Sequence, residues 1–127
     1  VRRMLDLSRL QSAENVTAQE QFDVSEVMLR VLVSLDRDGA FLLDREGLLL
    51  ARAPEVEVRS SVGAGDAMLA WFTAALLTGL PREAALRRAV AAGSAACLHY
   101  GTHAPSREEA EALLSRVGID PAGNLPD

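Results

Sequence analysis

The sequence predicts an α/β layered fold, and three observations predict it. A compact run of Val31, Leu32, Val33, Ser34 and Leu35 is rich in β-branched residues and too short for a typical helix. Two further apolar runs, 40–43 and 48–51, enclose a turn-forming tetrad. Beyond a glycine loop at 63–65 the chain turns to helical patterning. Strand, hairpin, glycine loop and then three helices read as part of a sheet with helices packed on it.

Taken in order, residues 1–11 place Val1, Met4, Leu5 and Leu10 at helical spacing among arginines. Thr17, with Glu20 three residues on, has the spacing of a capping box and predicts a short helix through Met28. The run 31–35 reads as a buried strand and 36–39 as a turn. Asp44, Arg45, Glu46 and Gly47 join the next two runs into a β-hairpin, with Gly47 at the positive-φ position. Charged residues alternate with Val56 and Val58 between 55 and 59, which predicts another short extended segment. Residues 67–77 are apolar almost throughout, so this helix is expected to be buried on most sides, with Trp71 in the core. Gly79 ends it, and Pro81 suits the first turn of a second helix reaching about Tyr100. Ala85, Ala89, Ala92, Gly93 and Ala96 lie close to one face of that helix, where a backbone or a flat ligand can approach closely. Gly101 closes it. Ser106 and Glu109 form a second capping-box pair, opening a last helix to about Val117.

Composition then narrows the function classes. At 127 residues the chain has the size of one domain and can bury its own core. A hydrophobic content of 49% and a formal charge of −5 are ordinary for a soluble chain. No nucleic-acid partner is expected, because backbone affinity there needs clustered cations; the 13 basic residues are all arginines. Cys97 has no partner for an internal disulfide and reads as a buried structural thiol. No apolar run approaches a membrane span and the first residues lack a signal-peptide core, so no membrane and a cytoplasmic location are expected. His99 and His103 lack metal-site spacing, and no protein metal site is expected.

The stretch that carries chemistry is Ser60, Ser61, Val62, Gly63, Ala64, Gly65 and Asp66, between an extended segment and a helix. Two glycines let the backbone turn tightly and let an anion approach without a Cβ in the way. The following helix offers unpaired N–H groups and the positive end of its dipole. Asp66 makes sense there if it faces an acceptor hydroxyl and takes its proton as that oxygen attacks a phosphoryl group. The residues alone leave open a plain tight turn with Asp66 as a helix cap. The loop lacks the Gly-Lys-Ser/Thr ending of Walker A. A dinucleotide-binding oxidoreductase is excluded by the glycine spacing and by the lack of an acid at the ribose distance.

Continued by Ala67, Met68, Leu69 and Ala70, the same stretch resembles the Asp-Thr-x-Gly-Ala-Gly-Asp signature of the ribokinase-like (PfkB) carbohydrate kinases. Val33, Ser34 and Leu35, then Gly39 and Ala40, resemble that family's Ser-Leu-Gly-x-x-Gly-Ala segment. Residues 91–96, with Gly101, Thr102, Pro105, Ser106, Arg107 and Glu108, resemble its C-terminal helices. Ser60, Val62 and Met68 are similar to the 1-phosphofructokinase and tagatose-6-phosphate kinase branch. The resemblance implies the C-terminal half of a Rossmann-like, three-layer fold. Residues 31–119 would form the ATP-binding and catalytic region, 1–30 a poorly matched helical segment and 120–127 a tail. It implies ATP and Mg²⁺ as cofactors and a phosphosugar of the fructose-1-phosphate or tagatose-6-phosphate type as acceptor. By the same resemblance Asp66 is the base, and the N–H groups of Gly63, Ala64 and Gly65 form an anion hole for the transferring group. Ser34 and Gly39 would lie along the nucleotide, and Val90, Gly93 and Ser94 in the adenine pocket. For these five residues plain packing remains the alternative.

Three departures bear on that expectation. Family members are much longer, and their N-terminal half supplies the sugar site and a lid. The chain is therefore expected to act as a truncated or split kinase, needing that half in trans or associating with itself. The alternative is a non-catalytic, nucleotide-binding or self-associating remnant. The family's Asn-x-x-Glu segment for Mg²⁺ and phosphate has no copy in 1–30. Asp36 stands in place of a Gly, and Trp71 in place of a small residue. A carboxylate beside a phosphate is unfavourable unless a cation offsets it.

Overall fold

The computed structural model describes residues 30–121; the helices expected before Met28, and residues 122–127, lie outside the described residues. Four strands, β1 (Arg30–Ser34), β2 (Gly39–Asp44), β3 (Gly47–Arg52) and β4 (Gly118–Pro121), form one antiparallel sheet in chain order. Three helices, α1 (Ala64–Leu77), α2 (Arg82–Ala96) and α3 (Arg107–Leu113), lie between β3 and β4 in the chain. This is an α/β fold, as the order of patterns predicts. A 3-10 turn, Asp36–Asp38, stands where the first turn is expected, and a second, Leu114–Arg116, prolongs α3.

The hairpin is tighter than expected. Both strands run on until Asp44 pairs with Gly47, leaving Arg45 and Glu46 at the tip, and Gly47 has φ of 116°. The Glu46 N–H donates to Asp44 Oδ1 at 2.9 Å, which fixes that turn. Period-two alternation puts Leu32, Ala40, Leu42, Leu49 and Ala51 on one face, with Ala40 opposite Ala51 and Leu42 opposite both Leu32 and Leu49. Of these, the four on β2 and β3 are buried. The other face carries Val31, Val33, Phe41, Leu43, Leu48 and Leu50, equally apolar, and none of these side chains is buried.

Helix α2 is the centre of the core. Its buried residues, Ala85 through Val90 to Ala96, face the sheet, α1 and α3 in turn. The alanines at 85, 89, 92 and 96 act as anticipated, letting these elements close on the helix. Leu42 and Leu86 are the largest fully buried side chains, each contributing about 1.5–3 kcal/mol relative to exposure. Asp44 and Arg82 tie hairpin to helix. Arg82 Nε donates to Asp44 Oδ2 at 2.8 Å and Arg82 Nη2 lies 2.8 Å from Oδ1, a two-pronged pair with only 6% of the Asp44 side chain exposed.

Several local expectations change. Helix α1 starts at Ala64, not 67, and buries only one side through Met68, Phe72 and Ala75. Its outward side is open, with Leu69 57% and Leu77 83% exposed, because among the described residues its main partner is α2 alone. Trp71 is accordingly half-buried at the margin of the core. At the far end Gly79 has φ of 84°, and the N–H groups of Gly79 and Leu80 bond back to Leu76 O and Ala75 O, a Schellman stop. Pro81 is the cap residue ahead of α2, and α2 ends at Ala96 with Cys97 as its cap, short of Tyr100. Residues 55–59 join no strand. Ser106 and Glu109 form the expected reciprocal capping box. Strand β4 is an addition, and it takes in Asp120 and Pro121, which the sequence reading assigns to the tail. No helix among the described residues is long and apolar enough to cross a membrane.

Candidate functional site

The glycine loop is held from behind by the end of α2. Backbone N–H groups of Arg59 and Ser60 both point at Cys97 O, at 2.8 and 3.4 Å. Arg59 also donates to the Tyr100 hydroxyl at 3.0 Å and lies over that ring. Ser60 Oγ accepts from the Val62 N–H, and Ser61 O accepts from the Ala64 N–H at 3.2 Å. Gly63 then takes φ of 85° as the cap residue of α1, a conformation that suits glycine.

The two glycines therefore have separate tasks. Gly63 makes the turn. Gly65 already lies in the first turn of the helix at ordinary φ, and a Cβ built on it meets nothing within 4 Å. The Ala64 N–H, expected in the anion hole, donates to Ser61 O inside the turn. The N–H groups of Gly63, Gly65 and Asp66 have no acceptor among the described residues. Asp66 is exposed in that same first turn, and its carboxylate makes no hydrogen bond or ion pair among the described residues.

A cleft of about 1140 Å³ opens beside this helix start. Its lining brings together Ser34, Gly39, Ala64, Gly65, Val90, Gly93 and Ser94 from three separate stretches of chain. Gly63 and Asp66 stand outside the lining. Gly93 also has a packing role, because a Cβ there would sit 3.3 Å from Ala64 O and 3.6 Å from Met68 Cβ. Gly39 has a stronger one, for a Cβ at its position would overlap Ala51 O at 1.9 Å. Ser34 Oγ accepts from the Asp36 N–H at 3.4 Å, so its hydroxyl serves the turn.

Other lining residues escaped the sequence reading. Cys97 faces the cleft, and its Sγ lies 3.4 Å from Gly93 O. Spacing gave a signal here, since Val90, Gly93 or Ser94, and Cys97 recur at three to four residues along one helix face. Burial pushes the Cys97 thiol above its ordinary range, and the Asp36 carboxylate raises it further. Asp36, Arg37, Asp38, Arg52 and Glu55 supply the charges at the cleft. No cluster of three metal-ligating side chains occurs among the described residues. The histidines sit elsewhere: His99 Nε2 is 2.6 Å from Glu109 Oε1, and its ring lies 4.1 Å from that of His103.

The pfkB family carbohydrate kinase description matches residues 6–110. The chain is 41% identical over 90 residues to the ATP-dependent 6-phosphofructokinase isozyme 2 of Escherichia coli (strain K12), covering 68% of this chain and 29% of that protein. It is 36% identical over 89 residues to the 1-phosphofructokinase of Bacillus subtilis (strain 168), again 29% of that protein. The crystal structure of phosphofructokinase-2 from Escherichia coli with substrates and products superposes at a TM-score of 0.64 and 38% identity, over 68% of this chain and 28% of that one. The chain thus spans less than a third of the length of these relatives. With a family match over most of its length, the chain belongs to the pfkB family of carbohydrate kinases.

Proposed function

We propose that this chain carries the nucleotide-binding and base-bearing part of an ATP-dependent phosphosugar kinase of the 1-phosphofructokinase kind. The observation that carries the reading is Gly65. Neither its φ nor its surroundings require a glycine, yet it lines the cleft at a helix start whose N–H groups lack acceptors. Such a bare helix start suits a phosphoryl group, which approaches backbone donors closely. The cleft is ample for a nucleotide, since pockets for small ligands run to about 300–1,000 Å³. Mg²⁺ would arrive with the phosphates, as it commonly does where no protein cage exists; its role there is to neutralise charge on the phosphoryl oxygens.

In this reading Gly63 and Gly65 hold the transferring group, Ala64 shapes the turn, and Asp66 accepts the proton of the attacking sugar hydroxyl. Val90, Gly93 and Ser94 line the base end of the nucleotide. Asp66 stands exposed outside the cleft lining, open to an acceptor in this reading. The acceptor site lies on chain beyond these residues, so turnover needs a complementing half or a second copy. The acceptor is a phosphosugar of the fructose-1-phosphate or tagatose-6-phosphate type.

Calorimetric titration of the chain with MgATP tests the nucleotide part, with Gly65→Val as control. Saturable binding that the control lacks supports the reading, and a folded chain that binds nothing overturns it. For the base, Asp66→Asn should keep MgATP affinity within about twofold while abolishing phosphoryl transfer by the complemented chain, since an absent general base costs about 10²–10⁴ in rate. Undiminished transfer by that variant would remove Asp66 from its role.

A further inference from the structure

Asp36 is the one described non-glycine residue with positive φ, at 58°. Its turn is firmly bonded: Leu35 N–H donates to Gly39 O at 2.8 Å, Gly39 N–H to Asp36 O, and Asp36 N–H to Ser34 Oγ. Aspartate tolerates the left-handed region better than most residues but less well than glycine. The carboxylate is thus mounted on a rigid backbone, in the same lining as Ser34, Gly39 and Gly65. Cys97 shares that lining, and its thiol is raised first by burial and then by the Asp36 carboxylate.

Asp36 forms no ion pair among the described residues. Asp38 and Glu55 add two more carboxylates to the lining. Arg52 lies 2.8 Å from Asp120 in an ion pair, which leaves Arg37 as the lining cation outside any ion pair among the described residues. The start of α1 belongs to the same lining and attracts anions. A phosphate chain entering here meets both that attraction and the repulsion of the carboxylates.

We propose that Asp36 is a selectivity residue of this cleft, making it favour a phosphate chain that carries a divalent cation over a metal-free one. The inference rests on the nucleotide reading above and concerns what that site rejects. A metal-free triphosphate carries its full negative charge toward Asp36, whereas a cation-bound one carries much less. A neutral nucleoside, which lacks the phosphates, is indifferent to the carboxylate.

Three ligands and two variants separate these terms: adenosine, MgATP, and ATP in chelator, each titrated calorimetrically into the chain, Asp36→Asn and Asp36→Gly. Asn keeps the left-handed tendency and removes the charge; Gly removes charge and strain together. In both variants metal-free ATP should bind roughly tenfold tighter, the size of a like-charge contact in a partly screened site. MgATP should gain less, and adenosine should not change. Alkylation of Cys97 by iodoacetamide should also run faster in both variants, because the thiol loses a neighbouring negative charge. Metal-free ATP affinity unchanged in Asp36→Asn, or adenosine gaining as much as ATP, would overturn the inference while leaving the nucleotide reading intact. Failure of all three ligands to bind any of the folded proteins would overturn both.

Discussion

Three glycines show how differently one residue type can be required. Gly39 is needed because a backbone crosses it, Gly63 because the turn needs positive φ, and Gly65 by nothing in the fold itself. Gly65→Ala should therefore raise stability by about 0.5 kcal/mol, since alanine is the better helix residue, while weakening MgATP binding strongly. A thermal denaturation curve read beside a titration checks both signs, and a variant that is stabilised yet binds normally would count against the site. The sequence marked this loop as the place of chemistry because two glycines, an acid and a helix start coincide there. It did not reveal how tasks divide between the glycines. That division depends on Ser61 O capturing the Ala64 N–H and on Cys97 O anchoring the loop from far along the chain.

Among the elements, the hairpin and α2 are joined by the Asp44–Arg82 pair, which also reaches Gly47 O at 2.6 Å and Glu46 Oε2 at 3.2 Å. Removing Asp44 leaves the mostly buried Arg82 charge with only the exposed Glu46 as a carboxylate partner among the described residues, so Asp44→Ala is expected to lose about 3 kcal/mol. The double variant with Arg82→Ala should lose less than the two single losses added. Urea denaturation of the three proteins decides it; strict additivity would mean the pair is not coupled. Helix α3 depends on Glu109, whose carboxyl is held below the usual carboxylate range, first by the Ser106 N–H and then by His99. A carboxylate depressed in the folded state stabilises above its unfolded pKa, and that contribution fades as pH falls through the folded value. Glu109→Gln should then melt earlier than the parent at neutral pH, with the gap closing under acid conditions. A gap that stayed constant with pH would place the effect in packing. Capping pattern and hairpin were legible because each is local chemistry. Strand β4 was not, for it has a single large apolar residue, Ile119. Its extended form comes from pairing with β3 and from the Arg52–Asp120 contact, both set by distant chain.

At the scale of the molecule, the fold class followed from the order of patterns, but the exposure of its surfaces did not. Apolar residues on α1 read as buried in sequence, yet Leu69, Ala70, Ala74 and Leu77 are exposed, and the second sheet face is apolar too. Surfaces of this kind favour association. The isolated chain should sediment as a concentration-dependent oligomer, and Leu43→Glu, on a side chain 47% exposed, should shift it toward monomer. A monomer at every concentration would refute this. The same two-sided sheet raises a folding question that Gly39 answers. Strands such as β3, with Leu48, Leu49 and Leu50 in a row, have no polar–apolar alternation to tell one register from the next. A slip of one residue would be nearly neutral in hydrophobic terms. It would, however, drive the Ala40 Cβ toward the place where β3 leaves room for no side-chain atom at all, against Ala51 O. The crossing at Gly39 thus acts as a mechanical stop, aligning strands that their own side chains leave indifferent.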